Sequence, residues 1–322
     1  MKAIVPSHYG SPDVLGLEEI EKPVPKDDEV LIRVRAASVN PLDWHAMRGT
    51  PYIARMMGGL RKPKGNPLGV DVAGEVETAG KNVAGFQPGD AVFGLCRGAF
   101  AEYACASQTV LATKPKNLTF EQAAAVPVAG FTALQGLRDK GKIGPGRKVL
   151  INGAAGGVGT FAVQIAKSFG AEVTGVCSSR NVDLVRSIGA DRASDYTKED
   201  FTREGRRYDL LLDCVGNRSL FACRRVMNPK GTCIVITGPD GRWLGPLARM
   251  LQALALSPFV SQSLIPFVAK PNQKDLTILR DLMEAGKLTP VIDRSYRLSE
   301  VAEAIRYLEE GHARGKVVIT VE

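Results

Sequence analysis

A strand, a glycine-rich turn and a helix follow one another in the middle of the chain. The sequence KVLINGAAGGVG, at residues 148–159, begins with a short apolar run that predicts a buried strand. Beyond its glycines, apolar residues recur at helical spacing as far as Gly170, where we predict that the helix ends. Glycines let the backbone approach a pyrophosphate closely, and the first helical turn presents free N–H groups to the anion. This order of elements predicts a dinucleotide site rather than a tightly packed crossover.

The residues after the next strand indicate which dinucleotide binds. That strand is predicted at Glu172–Cys177, and in NAD-binding proteins an acidic side chain near its end holds the ribose 2′-hydroxyl. This chain has Ser178, Ser179 and Arg180 there, which suit a 2′-phosphate, and no carboxylate that would repel it. The pattern favours NADPH, and the alternative is an ordinary polar loop.

The composition is that of a globular protein. The 322 residues suffice for two domains, and 44% of them are hydrophobic. No apolar run reaches the roughly 18 residues of a membrane span, and the N-terminus lacks the apolar core of a signal peptide. Six cysteines without a CxxC pair suit reduced, buried thiols, so we expect a cytoplasmic protein. The net charge of +8 is spread, and its local groups at 61–64 and 203–207 lack interleaved aromatics, so no nucleic acid is expected.

The predicted elements divide the chain into a β-rich part and an alternating part. Up to about residue 120, short strand-like runs are broken by proline and glycine, which indicates an antiparallel, barrel-like domain. A capping box of Thr119 and Gln122 predicts a short helix, and a second helix is predicted at 132–140. From residue 148 strands and helices alternate, which is typical of a doubly wound parallel sheet.

The apolar segment at residues 242–267 is the least regular part of the pattern. Its leucines give only weak amphipathicity. A lid over a substrate, a subunit interface, a membrane-surface helix and a core helix of the second domain all remain open. The third of these would bring peripheral membrane contact through the stretch between Leu244 and Phe267.

Several motifs recur in the order seen in a known superfamily. They are SVNPLD at 38–43, LGVDVAG at 68–74, QPGD at 87–90, GAFAEY at 98–103 and GAAGGVG at 153–159. The chain thereby resembles the zinc-free quinone oxidoreductase branch of the medium-chain dehydrogenase/reductases. The resemblance implies an α/β fold in three stretches: a GroES-like, β-rich catalytic domain at 1–123, a Rossmann domain with a doubly wound parallel sheet at 124–268, and completion of the catalytic domain at 269–322.

Two positions argue against the catalytic zinc of other members. By the resemblance, Asn40 stands where zinc-dependent relatives have a cysteine ligand, and Val70 where they have a histidine. An amide is a poor zinc ligand and valine is none, so no metal is expected. A cryptic site of His45, Asp71 and Cys96 is the alternative. Without a Lewis acid to ionise an alcohol, we expect hydride transfer to an electron-poor acceptor, a quinone or an α,β-unsaturated carbonyl compound.

Candidate catalytic residues lie in the loop SVNPLDWHAMRG, at residues 38–49. Asn40 is expected to orient the nicotinamide or the substrate oxygen, and Asp43 to fix the loop by hydrogen bonds. His45 is expected either to deliver a proton near neutral pH or to be a hydrogen-bonded structural histidine. Candidate aromatic walls for a flat substrate, with the core as the alternative place for each, are Tyr52, Phe93 and Phe131.

The resemblance also implies cofactor contacts. Along the pyrophosphate and nicotinamide ribose it places Ala155, Gly156, Gly157 and Val158. Around the adenosine 2′-phosphate it places Ser178, Arg180 and Tyr196. Bordering the adenine-side ribose it places Val215 and Gly216. Approaching the nicotinamide it places Thr132 and the turn of Ile236, Thr237 and Gly238, with Lys316 at the cofactor's outer edge.

The sequence thus predicts a zinc-free, NADPH-dependent reductase of quinones or enones that acts as a homodimer. Two other classes stay open. The first is a non-catalytic NADPH-binding protein on the same fold: a regulatory one would bind NADPH without consuming it, and an RNA-binding one would show strongly salt-dependent affinity for RNA. The second is an enoyl-thioester reductase, which would prefer acyl-thioester acceptors to free quinones.

Overall fold

Residues 1–52, 55, 67–238 and 245–322 are described in the computed structural model, and they form two units. Unit 1 consists of Met1–Val128, Lys270–Gly286 and Pro290–Glu322, and unit 2 of Ala129–Ala269 and Lys287–Thr289. The sequence places domain boundaries after residues 123 and 268, whereas the two units divide after Val128 and Ala269. The basic group at 61–64 and Leu244 lie outside the described residues.

The regular elements are numbered here in chain order. The strands of the described ranges are β1 Lys2–Pro6, β2 Leu15–Glu19, β3 Glu29–Val39, β4 Asp71–Ala79, β5 Ala91–Leu95, β6 Tyr103–Ser107, β7 Leu111–Thr113, β8 Lys148–Asn152, β9 Glu172–Cys177, β10 Arg192–Asp195, β11 Tyr208–Asp213, β12 Met227–Val235, β13 Ser263–Pro266, β14 Ile292–Arg297 and β15 Lys316–Thr320. The helices are α1 Pro41–Arg48, α2 Phe120–Ala124, α3 Pro127–Gln135, α4 Gly157–Ser168, α5 Val182–Ser187, α6 Leu220–Arg225, α7 Pro246–Leu256, α8 Gln273–Glu284 and α9 Val301–Glu309.

Unit 1 is built on one large sheet. Its strands lie in the order β14-β15-β3-β4-β5-β7, with β6 also paired to β3, and β1 and β2 form a separate hairpin. The strands from the first part of the chain pair antiparallel, as predicted, while β14 and β15 run parallel to each other. β15 joins the sheet between β14 and β3, so the last strand completes a domain that begins with the first.

Unit 2 is built on a six-stranded sheet in which every pair of neighbours is parallel. The order is β10-β9-β8-β11-β12-β13. The strand before the glycine turn, β8, lies between β9 and β11, so the order of strands reverses there. This is the strand order of a Rossmann fold, and it confirms the predicted doubly wound sheet. Ligands of such sheets bind at the carboxyl ends of the strands beside this switch point.

Two local predictions near residue 120 have different outcomes. The capping box is confirmed, because the Gln122 N–H donates to Thr119 Oγ1 at 3.3 Å and the Thr119 N–H donates to Gln122 Oε1 at 3.0 Å. The helix predicted at 132–140 is wrong at its start, since α3 already begins at Pro127. A proline is tolerated in the first turn because the N–H that it lacks would have no intrahelical partner.

The apolar segment after residue 242 contributes to the core of unit 2. α7 leads to β13, which pairs with β12 at the edge of the sheet. The inner face of α7 is buried, with Ala253 0% exposed, whereas Leu247, Leu251 and Leu254 form a stripe that is 39%, 55% and 58% exposed. The core-helix alternative is therefore confirmed for the inner face. Within the described ranges, no helix has the length and apolarity needed to cross a membrane.

Candidate nucleotide and active sites

The glycine-rich turn of unit 2 closes tightly between β8 and α4. Gly153 has a φ of 86°, a conformation that other residues rarely adopt. A Cβ at Gly159 would lie 2.1 Å from the Gly153 carbonyl oxygen, so α4 packs directly on the turn. α4 begins at Gly157, and the N–H groups of its first turn have no carbonyl one turn earlier to bond. These backbone donors at a helix N-terminus suit a pyrophosphate. The residues predicted to contact it lie at the end of this turn and in the first turn of α4: Ala155, Gly156, Gly157 and Val158.

The end of β9 brings together the residues predicted around the 2′-phosphate. The Tyr196 N–H donates to the Cys177 carbonyl at 3.0 Å, which places Tyr196 next to the segment that begins with Ser178. Ser178 is half-buried, and its hydroxyl accepts from the Asn181 side-chain amide at 3.2 Å. Arg180 and Tyr196 are exposed. A hydroxyl with its own hydrogen to donate and a guanidinium at one strand end fit a phosphate group.

A carboxylate that the sequence prediction missed lies at the same place. Asp195 ends β10, opposite Cys177 in the parallel register. The Ser179 hydroxyl donates to it, and Thr197 donates to it through its hydroxyl at 2.7 Å and its N–H at 3.0 Å. The hydrogen bond from Ser179 is the largest cause that lowers the pKa of Asp195 to about 2. The segment that directly follows β9 has no carboxylate, as predicted, but the pairing of β9 with β10 brings in Asp195 from outside the local pattern.

The loops after β11 and β12 meet at the switch point. Asp213 ends β11, is fully buried, and accepts from the Asn152 amide at 2.8 Å and from the Gly216 N–H at 2.9 Å. Gly216 has a φ of 74°, and a Cβ there would lie 2.8 Å from Gly238 Cα. The structure thus brings together the two predicted turns, one with Val215 and Gly216 and the other with Ile236, Thr237 and Gly238. Nothing in the local pattern singled out Asn152 or Asp213.

Thr132 and Lys316 are the remaining predicted cofactor contacts. Thr132 lies on α3 of unit 2 and is 8% exposed. Lys316 begins β15 of unit 1 and is 3% exposed. Its ammonium donates to Asn40 Oδ1 at 2.6 Å and lies 3.4 Å from Asp71 Oδ2. A contact of Lys316 with the cofactor's outer edge stays a prediction.

A buried polar cluster surrounds Asn40 in unit 1. Asp71 Oδ2 accepts from the Ser38 hydroxyl at 2.7 Å and from the Asn40 amide at 2.8 Å, and Asp71 Oδ1 accepts from the Val128 N–H at 2.9 Å. The side chains of Ser38, Asn40, Asp71 and Lys316 are at most 3% exposed. Burial of the Asp71 carboxylate is tolerable because it meets a cation and several donors. The side-chain amide of Asn40 is bonded inside this cluster, and these bonds fix Asn40 directly before α1.

Asp43 caps α1 from within the same region. Its Oδ2 accepts from the Asn40 N–H at 2.8 Å, which is the loop-fixing hydrogen bond expected of it. The pKa of Asp43 is raised to about 7, chiefly by burial and less by the negative charge of Asp71, while the hydrogen bond from the Asn40 N–H and the charge of Lys316 oppose the rise. The carboxyl group therefore exchanges its proton close to neutral pH.

His45 contacts one residue of α1 and one just beyond its end. Its ring stacks on Trp44 with centroids 3.6 Å apart, and its Nδ1 lies 3.4 Å from Thr50 Oγ1. The side chain is half-buried. The role of His45 in proton delivery stays a prediction.

The aromatic residues predicted as substrate walls have different surroundings. Phe93 on β5 and Phe131 on α3 are buried, 0% and 1% exposed. The half-buried Tyr52 stacks with Arg55, whose guanidinium lies 4.5 Å from the Tyr52 ring centroid and 4.6 Å from that of Tyr9. Arg55 also donates to the Gly49 carbonyl at 2.8 Å. Contact of these rings with a substrate stays a prediction.

No metal cluster is present in the part of the chain that the structure describes. There, no three His, Cys, Asp or Glu side chains converge as a group that could hold an ion. The cryptic site of His45, Asp71 and Cys96 is therefore not formed among these residues. The Asp71 carboxylate is instead bonded inside the cluster around Asn40, and burial raises the pKa of the Cys96 thiol well above its ordinary value.

Comparison with known proteins finds relatives over nearly the whole chain. Residues 26–116 match the alcohol dehydrogenase GroES-like domain family, and residues 188–319 match the family described as zinc-binding dehydrogenase. The chloroplast envelope quinone oxidoreductase homolog of Arabidopsis thaliana is 32% identical over 337 residues, which cover 99% of this chain and 98% of that protein. The NADPH-dependent alkenal/one oxidoreductase, chloroplastic, of the same plant is 36% identical over 338 residues, which cover 99% of this chain and 79% of that protein. The solved quinone oxidoreductase from Coxiella burnetii has a TM-score of 0.90 at 32% identity and covers 100% of this chain and 99% of its own.

Proposed function

The chain belongs to the medium-chain dehydrogenase/reductase superfamily, and we propose that it is an NADPH-dependent reductase of quinones or α,β-unsaturated carbonyl compounds. The observation that carries the proposal is the glycine turn of unit 2, with Ser178 and Arg180 at the end of the adjacent strand. Relatives that match 99% of this chain, named as a quinone oxidoreductase homolog and as an NADPH-dependent alkenal/one oxidoreductase, support the acceptor class.

The residues of unit 2 fit the parts of a pyridine dinucleotide. The N–H groups at the start of α4 would hold the pyrophosphate, and Ser178 and Arg180 would hold the 2′-phosphate. The Asp195 carboxylate accepts hydrogen bonds from Ser179 and Thr197, and these bonds keep it from holding the ribose 2′-hydroxyl. When bound, NADPH supplies a hydride.

In unit 1 the cluster around Asn40 has a positioning role in this proposal. Its hydrogen bonds hold Asn40 and Asp43 and thereby fix α1, which carries His45. We assign the proton to His45 or to solvent, since histidine is the commonest general acid in proteins and this one is half-buried.

The proposed reaction is independent of zinc. Support comes from Asn40 and Val70, which offer an amide and an isopropyl group where a thiolate and an imidazole would be needed. Quinones and enones are electron-poor already, so they need no metal to accept a hydride. Metal analysis of the purified protein and assays with a chelator are the test: stoichiometric zinc, or activity lost on chelation, would contradict zinc independence.

Stopped-flow measurement of NADPH oxidation tests the central proposal. A panel of quinones, enones and enoyl thioesters is compared with buffer, and NADH is the matched cofactor control. We expect acceleration with at least one free quinone or enone and a lower KM for NADPH than for NADH. Binding of NADPH without turnover would favour a regulatory protein, and exclusive use of acyl thioesters would favour an enoyl-thioester reductase.

We also propose that the protein acts as a homodimer that buries apolar surface of α7. Support comes from Leu247, Leu251 and Leu254, which are exposed along one side of the helix. Light scattering coupled to size exclusion should give twice the mass of one chain, and Leu251→Lys should reduce it. A monomer that sediments with anionic vesicles through this helix would support peripheral membrane contact instead.

A further inference from the structure

A buried ion pair joins the carboxyl end of β11 to α7, and the proposed function does not use it. Arg249 on α7 is 5% exposed and Asp213 is 0% exposed. The Arg249 guanidinium NH2 lies 2.5 Å from Asp213 Oδ2. A buried ion pair is weak evidence for stability, because both charges lose their hydration on burial. The pair instead holds backbone groups of a neighbouring loop in place.

Arg249 and Asp213 fasten both ends of the loop at residues 214–218. Asp213 precedes the loop, and its Oδ1 accepts from the Gly216 N–H at 2.9 Å. At the other end, Arg249 NH1 donates to the Arg218 carbonyl at 2.7 Å. One ion pair thus fixes the conformation of the loop that presents Val215, which is 41% exposed, and Gly216.

The guanidinium keeps these bonds although one of its donors stays unsatisfied. Arg249 Nε is buried and meets no acceptor among the residues that the structure describes. An unpaired buried donor is unfavourable, so the hydrogen bonds of NH1 and NH2 hold the side chain in place against this cost.

The fastened loop lies where a Rossmann sheet binds its ligand. It follows β11 at the switch point, and its Gly216 packs against the turn after β12, since a Cβ at Gly216 would lie 2.8 Å from Gly238 Cα and 3.1 Å from the Thr237 carbonyl oxygen. A shift of the loop would change the shape of both turns at once.

We propose that Arg249 and Asp213 are positioning residues for the pyridine nucleotide. The inference rests on the proposed function, since it takes unit 2 as the NADPH-binding unit. The pair acts through the loop at 214–218, so its disturbance lowers affinity for the nucleotide and leaves affinity for the acceptor unchanged.

The test is Arg249→Lys in the full chain. A lysine ammonium keeps the positive charge beside Asp213, but it cannot bridge the carboxylate and the Arg218 carbonyl as a planar guanidinium does. We expect the Kd for NADPH, followed by cofactor fluorescence, to rise about tenfold, as loss of one charge-assisted hydrogen bond implies. The KM of the acceptor and the kcat at saturating NADPH should stay within about twofold of the wild-type values, because only ground-state binding of the nucleotide is disturbed.

Arg224→Lys is the matched control, since Arg224 on α6 donates to Gln262 Oε1 at 2.9 Å and does not hold the loop. Wild-type affinity for NADPH in Arg249→Lys would overturn the inference alone. Equal losses of affinity for NADPH and for the acceptor would also overturn it, in favour of a general structural role. A wild-type protein that binds no NADPH would overturn the proposed function as well.

Discussion

Asp43 is buried at the start of α1, where the penalty on a charged carboxylate exceeds the hydrogen bonds that favour it. Its pKa is raised from the ordinary 3.8 to about 7. Between these values the folded protein binds more protons at this site than the unfolded chain does. The free energy of unfolding contributed by Asp43 is therefore fully present below the unfolded pKa and is lost as the pH rises through the folded pKa.

Asp43→Asn should remove this dependence while keeping an acceptor for the Asn40 N–H. From about pH 4 to pH 7, the wild-type free energy of unfolding should fall by roughly 2–4 kcal/mol more than that of the variant. Urea denaturation of both proteins at several pH values in this window measures the difference, in which other titrating groups cancel. Parallel curves would show that Asp43 titrates normally.

Arg180 is the residue whose charge should distinguish NADPH from NADH. Arg180→Gln should raise the KM for NADPH about 10- to 100-fold and leave the KM for NADH nearly unchanged, because only NADPH carries the 2′-phosphate. Steady-state kinetics with both nucleotides measure the ratio. Arg186→Gln is the control, since Arg186 is an exposed arginine on α5. Equal effects on both nucleotides would place the 2′-phosphate elsewhere.

The contacts among the buried polar residues of both units could not be predicted from the sequence. Asp71 and Lys316 are separated by 245 positions, and Asp213 and Arg249 by 36, so no local spacing links them. Ser178 and Arg180 could be predicted because they follow a recognisable strand directly. Asp195 could not, because only the pairing of β10 with β9 brings it there.

Among the elements, the turn between β8 and α4 has little room for a larger side chain. Gly159→Ala would place a Cβ 2.1 Å from the Gly153 carbonyl oxygen. We expect loss of NADPH binding and destabilisation of about 1–3 kcal/mol, typical of overpacking. Thermal unfolding with and without NADPH measures both effects. Gly144→Ala is the control, since a Cβ there has nothing within 4 Å. Unchanged binding in Gly159→Ala would contradict the close approach of α4 to the turn.

Elements whose pattern is local were predicted well, and those fixed by distant pairing were not. β8, α4 and β9 follow from apolar periodicity and glycines over a short stretch. The first turn of α3 was missed because Pro127 looks like a break and is in fact a tolerated first-turn residue. β13 was missed because its four residues become a strand only through pairing with β12.

For the whole molecule, the position of β15 predicts how unit 1 depends on the end of the sequence. A chain that stops at Gly311 lacks the strand between β14 and β3. Amide hydrogen exchange should become fast in β3 between Ala36 and Val39, where β15 pairs, whereas amides of β8 in unit 2 should stay protected, because the six strands of unit 2 all come earlier. Removal of the exposed Glu322 alone is the control. Unchanged protection of β3 would show that unit 1 forms its sheet without β15.

The same strand has a consequence for synthesis on the ribosome. The β15 residue Lys316 meets Val39 across 277 positions of chain, so β3 leaves the exit tunnel long before the strand that will cover its edge. Unit 2 has all of its strands by Pro266 and can fold while translation continues. Nascent unit 1 must wait with a bare strand edge, which is the kind of surface that chaperones bind and that aggregates when they are scarce.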